Sequence, residues 1–203
     1  MSDSTAQIAL ENETDGKVRA EIERVFYARL LDTKTLSNAQ SHEDQEQWEI
    51  KIPKTDENAA AGRMRVRKIT YADGRVEFIR TTKMMLDGVP SEVEFPSSED
   101  EFNMFKAMAP VGMDKRRYYF PIPGREERFE VDVFRNPDGD FYRWIKIDLE
   151  IPNPEDPPPL KFPDGLIDEE SLCQASSPEP EKKALVQELY SRIFLTKNAK
   201  AVI

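Results

Sequence analysis

The chain has 203 residues, of which 33% are charged and 38% apolar, and a formal net charge of −10. Such a length carries one substantial domain or two small ones, and so acidic a chain has no general affinity for DNA or RNA, because non-specific binding needs a basic surface. Cys173 and His42 are the only cysteine and histidine, which excludes an internal disulfide, histidine metal clusters and His-dependent catalytic triads.

No apolar run approaches the roughly 18 residues of a membrane span, and the N-terminus is polar and acidic, unlike a signal peptide. The expected setting is cytoplasmic and reducing, with no membrane partner. Any chemistry falls to carboxylates, lysines and arginines, and hard oxygen ligands favour Mg²⁺, Mn²⁺ or Ca²⁺ over zinc.

Residues 1–16 are polar and without periodicity, so a mobile segment is expected ahead of one domain over 17–203. Val18, Ile22, Val25, Phe26 and Leu30 fall at helical spacing, yet Glu21 to Phe26 also alternates as a strand does, and we count it as one. Residues 32–45 read as a polar loop. Gln47 to Ile52 alternates and stops at Pro53, which makes it a strand. In Gly62 to Lys68, Arg63, Arg65 and Arg67 alternate with other residues, the two-residue period that puts three guanidiniums on one sheet face.

Asp73-Gly74 lies between two alternating runs and predicts a hairpin whose second arm is Arg75 to Lys83. Ser91 to Phe95 is a short strand. Ser97 or Ser98 then caps a helix with Glu99, Asp100 and Glu101 in its first turn and Phe102, Phe105, Met108 and Ala109 as its apolar stripe. Arg116 to Ile122, Arg128 to Phe134 and Phe141 to Ile151 are further strands, the last two joined by a turn at Asn136-Pro137-Asp138-Gly139. Six prolines between Pro152 and Pro163 exclude regular structure and suit a rigid connector. Pro178 opens a final helix over about 178–196, with Leu185, Val186, Leu189, Tyr190, Ile193 and Phe194 as its apolar stripe. The expected fold class is α+β, mainly antiparallel β: an eight-stranded closed tunnel, or barrel, with flanking helices and a C-terminal helix.

Charge recurs on one face of strand after strand. Lys146, Asp148 and Glu150 oppose Ile145, Ile147 and Leu149; Asp132 shares a face with Glu130, Glu92 with Glu94, and Glu49 with Lys51. Lys83, Lys115 and Arg117 join Arg65 and Arg67 as a basic set in the middle of the chain, with the acidic residues toward its ends. Closing the sheet brings carboxylates beside arginines. Guanidiniums suit phosphate oxygens, and carboxylates near a polyphosphate imply an intervening Mg²⁺ or Mn²⁺ that can bridge phosphate oxygens and activate water.

In this order the motifs resemble those of the CYTH family, the triphosphate tunnel metalloenzymes. Glu21-Ile22-Glu23-Arg24-Val25 approximates the opening Glu-x-Glu-x-Lys, Arg65-Val66-Arg67 the Arg-x-Arg strand, and Thr81-Thr82-Lys83 the Thr-x-Lys strand. Glu92-Val93-Glu94, Lys115-Arg116-Arg117, Asp132 and Asp148-Leu149-Glu150 follow in turn, and the likeness covers about residues 20–195. The resemblance implies an eight-stranded tunnel that binds a triphosphate with Mg²⁺ or Mn²⁺. It implies hydrolysis of tripolyphosphate or a nucleoside triphosphate, with an RNA 5′-triphosphate end as a further possible substrate. By carry-over, Arg65, Arg67, Lys83, Lys115, Arg117 and Lys146 hold phosphates; Glu21, Glu23, Asp148 and Glu150 hold metal, with Asp132 and Glu94 as supporting carboxylates.

The motif lysine is Val25 here. Lys51 or Lys146 then supplies that charge from another strand, and Glu21, Glu23 and Lys51 stand as the candidate catalytic set. Gln47-Trp48-Glu49-Ile50-Lys51 is a competing placement of the opening motif that keeps a lysine and loses a glutamate. The alternatives to hydrolysis are adenylyl cyclisation on the same fold and triphosphate or polyphosphate binding without turnover. His42 reads as a surface residue, Cys173 as inert, and Trp144 as filling the tunnel mouth or core. Oligomeric state is open.

Overall fold

The computed structural model of the chain describes residues 17–20, 23–52, 62–86, 89–135, 141–151, 161–176, 179–193 and 195–196. Eleven strands run in the order β1 (Lys17–Ala20), β2 (Glu23–Leu30), β3 (Ser41–Ile52), β4 (Gly62–Tyr71), β5 (Val76–Leu86), β6 (Val89–Pro96), β7 (Val111–Pro121), β8 (Arg128–Arg135), β9 (Phe141–Glu150), β10 (Ile167–Gln174) and β11 (Leu195–Thr196). A short 3₁₀ helix, Thr33–Asn38, precedes β3; α1 (Glu99–Met108) precedes β7, and α2 (Pro180–Ile193) precedes β11. No helix among the described residues is long and apolar enough to cross a membrane.

All strands belong to one sheet in the order β1-β6-β5-β4-β3-β7-β8-β9-β2-β10, with β11 on β7, and every pairing is antiparallel. Consecutive in sequence, β1 and β2 nevertheless sit toward opposite ends of this path. Three peptide units separate Ala20 from Glu23, so their Cα atoms lie within about 11 Å of one another. The sheet must therefore curl back on itself, and eight strands, β2 to β9, line one cavity. The eight-stranded closed barrel expected above is corrected in two respects. The sheet has eleven strands, and among the described residues its ladder is not closed by hydrogen bonds, because β10 rather than β6 pairs with the second edge of β2.

Packing is inverted relative to an ordinary barrel. The apolar residues of the alternating strands point outward and are covered there. Phe26, Ala28, Phe129, Val131, Val133, Ile145, Ile147 and Leu149 form the main core, closed by Ile151, Leu166, Ile167 and the half-buried Leu36 and Phe162. A second core forms where α1 lays Phe102 and Phe105 on Val66, Trp48, Met64 and Phe78 of the outer face. Ser98 caps α1 by accepting from the Glu101 amide, as Ser–acidic starts do. Met108 is corrected: it is 64% exposed, and Ala109 takes the buried place beside Phe105. Leu185 and Val186 of α2 join a smaller cluster with Tyr27, Met113, Phe134 and Trp144.

Further differences trace to local chemistry. Residues 41–45 are not loop but the first part of β3, whose two faces are both polar; His42 therefore lies on a strand, beside Tyr118, with ring centroids 5.7 Å apart. The helical alternative for 18–30 gives way to β1 and β2. β10 escaped notice because Ile167–Gln174 is mostly polar and its pairing with β2 is interrupted between Asp168 and Cys173. α2 spans Pro180–Ile193, and Pro178, the expected first residue of the helix, lies outside the described residues. The hairpin after β4 forms as expected, with Gly74 at a φ of 85° that side chains rarely adopt. Residues 1–16, the turn at 136–140 and the proline stretch 152–160 lie outside the described residues.

Gly112 lets the Trp48 ring pack against the β7 backbone: a Cβ there would meet that ring at 2.5–2.8 Å. Gly112→Ala is expected to cost about 1–3 kcal/mol by overpacking, read as a lower denaturation midpoint together with a shift in the Trp48 emission.

Candidate functional site: the charged lumen

The lumen is built by parity. In β3, Glu43, Gln45, Gln47 and Glu49 are buried while the residues between them are not. They stand opposite Tyr71, Ile69, Arg67 and Arg65 of β4, and on the other side opposite Arg117, Lys115, Met113 and Val111 of β7. β7 continues the pattern into β8, with Arg117 opposite Asp132, and β8 into β9, with Asp132 opposite Lys146 and Glu130 opposite Asp148. β9 meets β2 with Asp148 opposite Val25 and Glu150 opposite Glu23. The enclosed cavity is about 350 Å³, within the usual range for small-molecule sites.

Burying this much charge requires partners, and two networks supply them. On one side, Arg65 donates to Glu92 at 3.2 Å, Lys83 pairs with Glu92 at 2.8 Å, and Arg67 pairs with Glu94 while donating to Thr81 at 3.3 Å. On the other, Arg117 grips the fully buried Asp132 through Nε at 2.6 Å and a second nitrogen at 2.8 Å. Asp132 also accepts from Lys115 at 2.5 Å, Arg117 reaches Glu130 and Asp148, and Lys146 donates to Asp148 at 2.6 Å.

Titration follows this geometry. Burial and then the neighbouring Arg65 push the Arg67 guanidinium down to about 10. Burial, with Arg117 next to it, pushes the Lys115 ammonium down to about 7. Burial alone would raise Glu92, but Arg65 and Lys83 outweigh it and hold the carboxyl at about 2. Asp132 is likewise held well below the carboxylate range by Arg117 and Lys115 in spite of its burial.

Among the described residues, Gln45 Oε1, Arg65 Nε, Arg67 Nε and Asp148 Oδ1 are buried lumen atoms without a hydrogen-bond partner. Such groups call for a ligand or solvent. Two are arginine donors on adjacent inward positions of β4, and one is a carboxylate acceptor.

Arg65, Arg67, Lys83, Lys115, Arg117, Lys146, Glu23, Glu94, Asp132, Asp148 and Glu150 are all brought to this cavity. Glu21 lies outside the described residues. Lys51 is exposed and is not among the side chains that line the cavity, although its ladder partner Arg63 is. Lys146, opposite Tyr27 and two residues from the partner of Val25, is the lysine that the wall holds in that neighbourhood. Asp132 and Glu94 are bound to basic side chains instead of standing in the acidic row. Glu43, Gln45, Tyr27, Tyr71 and Tyr119 were not foreseen, although the Glu-x-Gln-x-Gln-x-Glu spacing of β3 was there to find.

No protein-family model matches the sequence, and no curated protein matches it. Among solved structures the chain is similar to the protein PH1819 from Pyrococcus horikoshii OT3, at 15% identity over 65% of this chain and 80% of that one, with a TM-score of 0.45. It is similar to the inorganic triphosphatase NE1496, at 20% identity over 81% of this chain and 96% of that one, with a TM-score of 0.45. A third is HpAC1 from Hippeastrum, for which a dominant triphosphatase activity is described, at 15% identity over 66% of this chain and 81% of that one, with a TM-score of 0.37. The likeness is distant, and the side chains of the lumen carry the functional reading.

Because its folded carboxyl lies below the ordinary value of 4.5, Glu92 contributes stability above that pH and loses it as pH falls toward about 2. Glu92→Gln is expected to be less stable than the wild type by about 2–3 kcal/mol at pH 7, with the gap narrowing below pH 4.5. Denaturant titrations across that window measure it, and a gap independent of pH contradicts the assignment.

Proposed function

We propose that the chain hydrolyses a triphosphate, inorganic tripolyphosphate or a nucleoside triphosphate, inside a charged β-tunnel with Mg²⁺ or Mn²⁺. One observation carries the reading: seven basic side chains from β4, β5, β7 and β9 converge on one cavity. Arg65 and Arg67 there have buried Nε donors without an acceptor. A triphosphate presents many anionic oxygens to such a wall, and arginine forks match them.

The same cavity is lined by nine carboxylates, Glu23, Glu43, Glu49, Glu92, Glu94, Glu130, Asp132, Asp148 and Glu150. Fully ionised, they leave the lumen with a net charge of −2. A bare triphosphate would meet more repulsion than attraction. Divalent cations remove that objection, and the donor set suits them. Among the described residues no three acidic side chains converge as a ready metal cage. Even so, Glu23 stands opposite Glu150 across β2 and β9, a like-charge pairing that a cation stabilises, while Glu130 and Asp148 are already bridged by Arg117. Asp148 also keeps a buried oxygen unpartnered. Glu23, Asp148 and Glu150 are the residues proposed to hold the ions, joined by Glu21. Bound there, Mg²⁺ or Mn²⁺ supplies Lewis acidity and neutralises charge on the phosphate oxygens.

The chain's own contribution is positioning and electrostatics. Arg65, Arg67 and Lys83 bind one side of the phosphate chain, releasing Glu92 and Glu94; Arg117, Lys115 and Lys146 bind the other, held in line by Asp132 and Asp148. Fixed cations aimed at the transferring group stabilise charge as it spreads in the transition state without reorganising.

Phosphate release from tripolyphosphate or ATP in the presence of Mg²⁺ or Mn²⁺ is the expected result, abolished by chelation. Arg67→Ala is expected to lower kcat/KM by roughly a hundredfold or more. No release from any triphosphate at high enzyme concentration would sink the reading, and cyclic AMP with pyrophosphate from ATP would redirect it to cyclisation.

A further inference from the structure

The two charge networks of the lumen differ in how firmly they hold their carboxylates. Asp132 is almost wholly buried and uses both oxygens, taking Arg117 through Nε at 2.6 Å and a terminal nitrogen at 2.8 Å, with Lys115 at 2.5 Å. Glu92 gives one oxygen to Arg65 at 3.2 Å and the other to Lys83 at 2.8 Å. Glu94 is held least: its side chain is 41% exposed, and Arg67, the Thr81 hydroxyl at 3.0 Å and Arg65 at 4.0 Å all meet one oxygen, Oε1.

Neither glutamate meets its arginine on an adjacent strand. β5 lies between β6 and β4, so the pairs span two strand spacings, roughly 10 Å. Thr81, the short residue opposite both Glu94 and Arg65, leaves room for that crossing. The contacts engage a terminal nitrogen of each guanidinium, while the Nε donors of Arg65 and Arg67 stay buried without an acceptor. The two carboxylates thus occupy the arginines without satisfying them. The other edge of β6 is paired to β1, which places Lys17 opposite Glu94 and Arg19 opposite Glu92. A released carboxylate therefore has a cationic register position on that side as well.

Alternate residues of β6 set Glu92 and Glu94 about 7 Å apart along one face, as alternate residues of β4 set Arg65 and Arg67. A triphosphate likewise carries separated anionic groups, each with more acceptor oxygens than a carboxylate. It can take both guanidiniums and Lys83 at once, and it can use Nε together with a terminal nitrogen, the fork that these glutamates leave open. A single phosphate displaces one carboxylate and leaves the other in place.

We propose that Glu92 and Glu94 are an internal competitor for the phosphate seats, occupying Arg65, Arg67 and Lys83 until a triphosphate displaces them and reclaiming those cations when the products leave. The inference rests on the triphosphate reading above. It makes the two glutamates specificity-determining residues and not ligands of a cation. Substrate is distinguished from product by the number of seats it can take at once: orthophosphate gains one seat against a standing competitor, so it binds poorly and departs.

The test measures tripolyphosphate affinity by calorimetry in Mg²⁺ for the wild type, Glu94→Gln and Glu43→Gln. Glu94→Gln is expected to bind roughly tenfold more tightly than the wild type, and orthophosphate is expected to compete with tripolyphosphate far better in that variant. Glu43→Gln removes the same charge from the lumen at a position opposite Tyr71 and Arg117, away from Arg67, and is expected to gain much less. Glu94→Asp keeps the charge but shortens the reach across Thr81, so it too is expected to bind more tightly; it serves as the comparison should Glu94→Gln fail to fold, as judged by its melting profile. Weaker binding by Glu94→Gln would assign Glu94 to a cation and overturn the inference. Unchanged affinity, an equal gain in Glu43→Gln, or binding by none of the proteins overturns it too. Phosphate release by the wild type decides the parent reading separately. A chain whose affinity rises in Glu94→Gln but which releases no phosphate keeps this inference and loses that reading; one that releases phosphate with its affinity indifferent to Glu94 does the reverse.

Discussion

Everything in this structure depends on the need to compensate buried charge. A sheet with arginines, lysines and carboxylates on one face cannot fold that face against an apolar layer. It can curl so that the charged residues of one strand meet opposite charges on the next, and this is what β2 to β9 do. Asp132 with Arg117 and Lys115, and Glu92 with Arg65 and Lys83, are the two places where the compensation is most complete. The apolar residues are thereby turned outward, and α1, the 3₁₀ helix and the segment around Phe162 to Ile167 exist to cover them.

Compensation within the lumen also prepares it for exchange. A ligand with several anionic oxygens can take over the donors now engaged by Glu92, Glu94, Glu130 and Asp148, while cations take over the carboxylates. The arrangement is costly to break by halves: removing one partner of a buried pair leaves the other uncompensated, a loss of about 3–5 kcal/mol. Stability and function are therefore coupled in this wall, and variants of Asp132 will report on both.

Much of this was legible in the residues because the two-residue period is a strong signal wherever one face is apolar. Val131 and Val133 against Asp132, and Ile145, Ile147 and Leu149 against Lys146 and Asp148, announce both the strand and its charged face. Ser98 and the acidic turn after it announce α1. The signal fails where both faces are polar: Ser41 to Gln45 looked like loop, and Glu43 and Gln45 were lost with it. It fails again at β10, whose acidic stretch Asp168-Glu169-Glu170 pairs irregularly with β2. Lys51 shows a different limit. Its parity is correct for the lumen and its ladder partner Arg63 lines the cavity, but Lys51 itself is exposed, and alternation alone does not distinguish the two. Lys146 became the stronger candidate because two strands, β8 and β9, set it between Asp132 and Asp148.

The central claim is that this lumen admits a triphosphate only together with divalent cations, because its own carboxylates outnumber its cations. Calorimetric titration of tripolyphosphate into the protein, first in chelator and then in Mg²⁺, measures this directly. The account predicts weak or undetectable binding without the metal and saturable binding with it. Tight binding in chelator, unchanged by Mg²⁺, would contradict it.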